Sequence, residues 1–426
     1  MSLILGIDIG TSGIRTAVID ASGKLISMAQ QAHVQQESAM INAEMWWNSV
    51  QACIKSQTIA LLEQGQNPHE ISAVSVDGTS GTMLLTDANL QPVTRALMYN
   101  SMGFIREGAI IDRIAPDFHI TRGSNSALAR ALHLIKEDSE HHACHLLHQA
   151  DFISAKLTGI GGYSDYNNSL KTGYDPGTKK WPEWVSDVGM DMALLPNVVA
   201  PGTAIAPILR TVAEELNLPA SAIVYAGTTD SIAAFLACAD PVPGVAVTSL
   251  GSTLVVKVMS QNRIDDPNIG LYSHSLGEGW LIGGASNTGG GVLAKYFTPS
   301  EIREYSSIIN PEIPSGLNYY PLVSPGERFP INDPGLQPRL TPRPKEKWKF
   351  LQGLLEGMAK IEAECYHAIK DRGGNFPQTL YTAGGGAENA TWTTIREIAL
   401  GQKILKANQT EAAIGVAQLV LSIGQE

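Results

Sequence analysis

Leu3-Ile4-Leu5-Gly6-Ile7-Asp8-Ile9-Gly10-Thr11-Ser12-Gly13-Ile14-Arg15-Thr16-Ala17-Val18-Ile19-Asp20 is the stretch that decides the fold. A run of strand formers, Leu3 to Ile9, ends in Gly10-Thr11-Ser12-Gly13, and a second strand, Ile14 to Ile19, returns. Two apolar runs joined by small turn residues read as a β-hairpin. A turn without bulky side chains lets backbone N–H groups and two hydroxyls surround a phosphate closely. Asp8 is the odd residue, because a carboxylate in an apolar strand is unfavourable unless something cationic meets it. Magnesium carried by a nucleotide is the natural candidate, since it takes carboxylate and water oxygens. An ordinary Gly-rich hairpin with a capping Asp reads equally well from this stretch alone.

A second copy breaks the tie. Val245 to Ser260 is again strand, small-residue turn, strand, and Gly251-Ser252-Thr253 matches Gly10-Thr11-Ser12 in kind and place. Two such hairpins, one in each half, predict a duplicated domain with a nucleotide held between the halves. The boundary falls in Asp240-Pro241-Val242-Pro243-Gly244, giving domains 1–240 and 244–426.

Between the hairpins the chain alternates strand and helix. A helix is predicted from about Asn42 to Glu63, with Asn42 as cap and Met45, Trp46, Ser49, Val50, Cys53, Ile54 and Leu61 as its apolar stripe. A buried strand, Ile71 to Val76, runs into Asp77-Gly78-Thr79-Ser80-Gly81. Helices are expected near Ala127 to Glu140 and Asp151 to Leu157. A short strand, Ile223 to Ala226, runs into Gly227-Thr228-Thr229-Asp230, from which a helix leaves. The second half repeats the plan, with a long helix near Trp348 to Asp371, a strand Leu380 to Thr382 ending in Gly384-Gly385-Gly386, and a closing helix Glu411 to Ile423. This alternation predicts α/β architecture: two actin-like ATPase (ribonuclease H-like) domains with a cleft between them, where ligand sites favour the interface.

Composition narrows the class. At 426 residues, 44% hydrophobic and 17% charged, the chain can bury large cores. A formal net charge of −11 without a basic run argues against nucleic acid as a partner. No stretch reaches the ~18 apolar residues of a membrane span, and MSLILGID reads as strand, not signal peptide. Cys53, Cys144, Cys238 and Cys365 lack CxxC spacing and fit reduced thiols in a cytoplasmic protein, a monomer or homodimer. No GxxxxGK[ST] occurs, so a P-loop fold is unsupported.

Six segments in fixed order, GIDIGTSGIRTAVID, VDGTSGTMLLTD, SDYNNSLKTGYD, AGTTDSIAAFLA, TSLGSTLVVKV and TAGGGAENATW, resemble the FGGY family of sugar kinases. The resemblance spans Leu3 to about Leu421 and is closest to the short D-ribulose kinases. It implies ATP and magnesium as cofactors and a sugar as the acceptor. It makes Asp230 the catalytic base and Asp8 the carboxylate that approaches magnesium, through a water-mediated contact. It places Thr11, Ser12 and Gly13 in the first phosphate loop, Gly251, Ser252 and Thr253 in the second, and Gly384, Gly385, Gly386 and Asn389 at the adenosine. Asp8, Ser12, Gly13, Asp77, Thr79, Ser80, Gly81 and Asp230 become the sugar-binding set. Xylulose kinases carry a Met-His pair in the sugar loop and glycerol kinases an Arg-Glu pair; here it reads Thr79-Ser80-Gly81.

Each residue also has a plainer reading. Asp230 and Asn389 can cap helices, Asp165 can cap a turn, and Trp392 can be core. His141, His145 and His148 share a face if their segment is helical, which would suit zinc, although HHACHLLH is no HExxH and reads as well as a solvated surface. Pro311 to Pro344 reads as a loop packed beside the cleft. Rival readings are a kinase for xylulose, erythrulose or a pentitol, and a non-kinase actin-like ATPase, whose chaperone form would carry a further peptide-binding domain.

Overall fold

The structure is a computed structural model that describes residues 2–33, 42–117 and 119–423. The chain forms two compact units, Met1–Ala237 with Glu411–Glu426, and Cys238–Thr410.

In chain order the first unit contains β1 (Leu3–Ile9), β2 (Gly13–Asp20), β3 (Leu25–Ala32), α1 (Glu44–Glu63), β4 (Ile71–Gly78), β5 (Met83–Thr86), α2 (Ile105–Ile114), α3 (Ala127–Glu137), β6 (His145–His148) and α4 (Gln149–Thr158). It continues through β7 (Tyr163–Asp165), α5 (Tyr166–Leu170), α6 (Trp184–Asp187), β8 (Asn197–Val199), β9 (Ala204–Pro207), α7 (Arg210–Leu216), β10 (Ile223–Thr229) and α8 (Asp230–Cys238). The second unit has β11 (Val245–Leu250), β12 (Leu254–Ser260), β13 (Tyr272–Leu276), β14 (Gly279–Ser286), α9 (Gly290–Tyr296), α10 (Pro299–Ile308), α11 (Lys347–Asp371), β15 (Thr379–Ala383), α12 (Ala390–Leu400) and β16 (Ile404–Lys406). The closing helix is α13 (Ala412–Ile423).

The first sheet has the order β3-β2-β1-β4-β10-β9, with β1 antiparallel to β2 and parallel to β4. All seven β1 residues are buried, as expected of a strand covered on both faces. Leu3, Leu5, Ile7 and Ile9 share a core with Trp46, Val50 and Ile54 of α1. Burying one such aliphatic side chain contributes ~1.5–3 kcal/mol. Ile4 points the other way, into a smaller core with Ala413, Ile414 and Ala417 of α13. Close approach there requires glycine: a Cβ on Gly6 would sit 1.9 Å from the Ala413 carbonyl oxygen.

The closing helix is therefore part of the first unit, whereas the sequence reading assigns residues 411–426 to the second. Gly415 completes the docking, since a Cβ there would lie 1.8 Å from the Ala233 oxygen of α8. The second sheet has the order β13-β14-β12-β11-β15-β16, the same plan around its own hairpin. Its core joins Val256, Leu354, Met358 and Trp392, so Trp392 is a core residue.

Two further expectations change. α1 begins at Glu44, although Asn42 still accepts from the Glu44 N–H at 3.0 Å. The His141, His145, His148 segment is not helical. α3 stops at Glu137, Asp138 accepts from the N–H groups of His142 and Ala143, and His145–His148 pairs antiparallel with Met83–Thr86. No common histidine face forms, and among the described residues no group of three or more His, Cys, Asp or Glu is arranged to hold a metal. Among the described residues no helix is long and apolar enough to cross a membrane. All four cysteines are free.

Candidate functional site

The parallel ladder fixes the first half of the site. Asp8 of β1 is the register partner of Asp77 on β4, and Asp77 is the partner of Thr228 on β10, two residues before Asp230. Three carboxylates thus stand at the C-terminal ends of three adjacent strands, where open α/β sheets place their ligands. Asp8 is 6% exposed and Asp77 is fully buried. Burial raises the Asp8 carboxyl, opposed by its bond with Asp77 and by Arg15, whose Nη1 lies 3.4 Å from Oδ2. Burial, then the charges of Asp8 and Asp230, raise Asp77 well above the usual carboxylate range. Of the two, Asp77 is pushed further toward its protonated form.

Asp230 begins α8 directly after β10, where helix N–H groups favour negative charge. Its Oδ1 accepts from the Ser231 N–H at 2.6 Å. The turn 10–13 lies beside Asp8. It is closed by Gly10 N–H donating to the Gly13 carbonyl at 2.9 Å, while Thr11 and Ser12 are exposed. His33 braces it from below, with Nε2 at 3.0 Å from the Gly10 carbonyl and Nδ1 at 3.1 Å from Ser49 Oγ.

The loop after β4 is tightly built. Thr79 donates from both its N–H and its hydroxyl to Gln149 Oε1, at 3.0 and 2.7 Å. Gly81 adopts φ +81°, a conformation suited to glycine, and its carbonyl accepts from Arg130 Nε at 3.0 Å. Among the described residues, Ser80 Oγ and Gln149 Nε2 are buried polar atoms without a partner, and the buried Asp77 oxygens face only the Asp8 carboxyl. Such atoms are rare in folded proteins and concentrate where a ligand or ordered water completes the network.

The second unit assembles the other predicted residues. Gly251-Ser252-Thr253 follows β11, closed by Gly251 N–H to the Thr253 carbonyl at 3.1 Å. Gly384, at the end of the neighbouring strand β15, approaches it so closely that a Cβ would lie 2.6 Å from the Leu250 oxygen. Asn389 caps α12: its Oδ1 accepts from Trp392 N–H at 3.0 Å, and its Nδ2 donates to Ser306 Oγ at 2.8 Å. Asp165 caps α5 through the N–H groups of Asn167 and Asn168, and burial raises its carboxyl to about 6.

Sequence reasoning missed Arg15, His33, Arg130 and Gln149. Arg15 was legible, since counting back across the turn sets it opposite Asp8. The other three arrive from elements distant in sequence.

Comparison with known proteins gives the family and the fold. Residues 3–237 match the model of the FGGY family of carbohydrate kinases, N-terminal domain. The xylulose kinase of Streptomyces rubiginosus is 29% identical over 283 residues, covering 62% of this chain and 56% of that protein. The xylulose kinase of Bacillus subtilis (strain 168) is 22% identical over 445 residues, covering 98% of this chain and 88% of that protein. In fold, a xyloylose kinase from Brucella ovis superposes with a TM-score of 0.88 at 22% identity, over 99% of this chain and 90% of that one. The fold is that of these actin-like sugar kinases, and with more than half of its length matched by the family model, this chain belongs to the FGGY family of carbohydrate kinases.

Proposed function

We propose that this protein transfers the γ-phosphoryl group of ATP to a terminal hydroxyl of a ketopentose, with D-ribulose as the first candidate. The observation that carries the reading is the carboxylate trio Asp8, Asp77 and Asp230 at adjoining strand ends, beside a Gly-Thr-Ser turn.

Phosphoryl transfer passes through a loose transition state, so the protein mainly positions groups and balances charge. Asp230, at a helix N-terminus, takes the proton of the acceptor hydroxyl. Asp77, pushed toward its protonated form by burial and two neighbouring charges, is able to donate a hydrogen bond to a sugar oxygen. Thr79, Ser80 and Gly81 shape the sugar loop, and Ser12 and Gly13 border it. Thr11, Ser12 and Gly13 in the first unit, and separately Gly251, Ser252 and Thr253 in the second, offer N–H and hydroxyl donors suited to phosphate oxygens. Gly384, Gly385 and Gly386 offer flat backbone to the adenosine, with Asn389 fixing their turn and keeping a second N–H for the base. Asp8 fits magnesium, which is held by one or two carboxylates when nucleotide phosphates and water supply the other oxygens. The bound ion neutralises charge on the transferred group.

The second reading is D-xylulose, favoured by relatives that carry the name xylulose kinase. Against it stands Thr79-Ser80, where the family resemblance sets a Met-His pair in xylulose kinases. A coupled ADP-release assay with ATP and magnesium, run over D-ribulose, D-xylulose, erythrulose and pentitols, decides. Turnover that depends on D-ribulose supports the first reading. Faster turnover on D-xylulose moves the specificity. ADP release that is the same with every sugar and with none overturns the kinase reading.

A further inference from the structure

Two buried side chains hold the loop 78–82 from behind. Gln149, the first residue of α4, is 1% exposed. Its Oε1 accepts the Thr79 N–H and the Thr79 hydroxyl. A backbone N–H can only donate, so chemistry fixes the amide: oxygen toward Thr79, nitrogen away from it. Packing leaves that arrangement no slack, because a Cβ on Gly78 would lie 3.2 Å from both Gln149 Oε1 and the Ala150 nitrogen.

Arg130, buried on α3, holds the other end. Its Nε donates to the Gly81 carbonyl, and its Nη1 donates to the carbonyls of Ser101 at 3.1 Å and Asn125 at 2.9 Å. Among the described residues it meets no carboxylate, so backbone dipoles alone solvate its charge. An arginine spent on three loop carbonyls, with no ion pair, acts as a fixed fork joining three segments. Ser80 lies between the two clamped residues and Asp77 two positions before the first; among the described residues Ser80 Oγ has no protein partner and the Asp77 oxygens only the neighbouring Asp8 carboxyl.

We infer that Gln149 and Arg130 are positioning residues for sugar recognition. They hold Thr79 and Gly81 so that Asp77 and Ser80 keep their polar atoms at fixed places for the hydroxyls of the acceptor. The inference rests on the kinase reading and on the loop 78–82 as its sugar contact. Selectivity among ketoses then depends on the backing of the loop as well as on its own side chains, because a site built to pair hydroxyls discriminates only while its groups stay in place.

The test uses the full-length protein and four forms: wild type, Q149L, Q149E and R130K. ADP release is followed with ketose varied at saturating ATP, then with ATP varied at saturating ketose, and each form is melted. The Q149L variant has no acceptor for Thr79, and its sugar KM rises about tenfold or more while its ATP KM stays within about twofold. The Q149E variant has a carboxylate that accepts the same two bonds and recovers most of the sugar affinity. R130K keeps the charge but loses the fork, and it too raises sugar KM selectively, so the inference stays testable if Q149L fails to fold. Wild-type sugar KM in a folded Q149L or R130K, or equal rises in sugar and ATP KM, overturns the inference. A wild-type protein that turns over no sugar overturns the kinase reading, and this inference with it; an active wild type with unchanged variants overturns the inference alone.

Discussion

Replacing Glu362 by Gln should destabilise the second unit more than any other single isosteric change there. Glu362 of α11 and Arg396 of α12 are both fully buried and paired twice, Nε to Oε2 at 2.6 Å and Nη2 to Oε1 at 2.8 Å. Strand residues bond the pair from the sheet side. Thr248 of β11 donates to Glu362 Oε1 at 2.5 Å, and Arg396 Nη1 donates to Thr382 Oγ1 of β15 at 2.9 Å. E362Q keeps the shape but leaves a buried guanidinium without its counter-charge, which costs about 3–5 kcal/mol. For a unit of this size that corresponds to a fall in Tm of about 6–20 °C. The double variant E362M/R396M leaves no charge behind and removes one bond from each of two threonine hydroxyls, which keep the Tyr366 hydroxyl and the Thr248 carbonyl, about 1–3 kcal/mol in all. Differential scanning calorimetry of wild type, E362M, R396M and the double gives the coupling energy. Thr248 stands three residues before the turn at Gly251 and Thr382 two before Gly384, so a loosened pair should also raise the KM for ATP. A Tm for E362Q within about 2 °C of wild type, or a double variant that loses the sum of its singles, would refute the argument.

Three further outcomes are expected. Asp230→Ala should lower sugar-dependent turnover by about 10²–10⁴-fold while ATP still binds, checked by kinetics and nucleotide titration; near-normal kcat would remove Asp230 from the role of base. His148 is buried with both ring nitrogens unpartnered, and burial, then the charge of Arg130, pushes its pKa down to about 3. The unfolded chain binds this proton near its ordinary pKa of 6.5, so stability from His148 is complete above that pH and is lost as pH falls toward 3. Urea titrations of wild type and H148L should therefore converge in favour of the variant as pH drops from about 6.5 to 4, and curves that stay parallel would contradict it. Gly227→Ala should prevent folding, because its Cβ would sit 1.7 Å from the Val76 carbonyl oxygen, far beyond ordinary overpacking at about 1–3 kcal/mol. A soluble G227A with a wild-type urea midpoint would show that β10 can shift on β4.

What the sequence made legible follows from distance along the chain. Both hairpins, the turns at Gly10 and Gly251, and Asp230 between strand and helix rest on local alternation and local turn chemistry. The residues that complete the site come from afar. Gln149 reaches Thr79 across 70 positions and Arg130 reaches Gly81 across 49, and no periodicity announces either. The histidines misled for a related reason. Their spacing fits a helical face, but Met83–Thr86 offers His145–His148 a ladder, and a non-local pairing overrides the local pattern. Residues 411–423 read as the end of the second half because order in the chain is visible there, while Gly6 and Gly415, which admit α13 to the first unit, look like any other glycines.

The two hairpins share a turn but not a chemistry. At the rim of the first, Asp8 lies opposite Arg15 on β2 and Asp77 on β4; at the rim of the second, Ser249 lies opposite Val255 on β12 and Ala383 on β15. One residue further in, the order reverses. Beneath Asp8 are Ile7 and Val76, apolar and buried; beneath Ser249 are Thr248 and Thr382, bonded to the Glu362–Arg396 pair. Both hairpins keep a small-residue bend on a rigid strand pair, as the proposed phosphate contacts require. Charge was distributed by task. Carboxylates at a rim suit a metal ion and the proton of a hydroxyl, but they repel phosphate wherever no cation intervenes. On the proposed reading, a turn that takes phosphate oxygens is served by an uncharged rim, and the second unit keeps Glu362 and Arg396 paired inside its core instead.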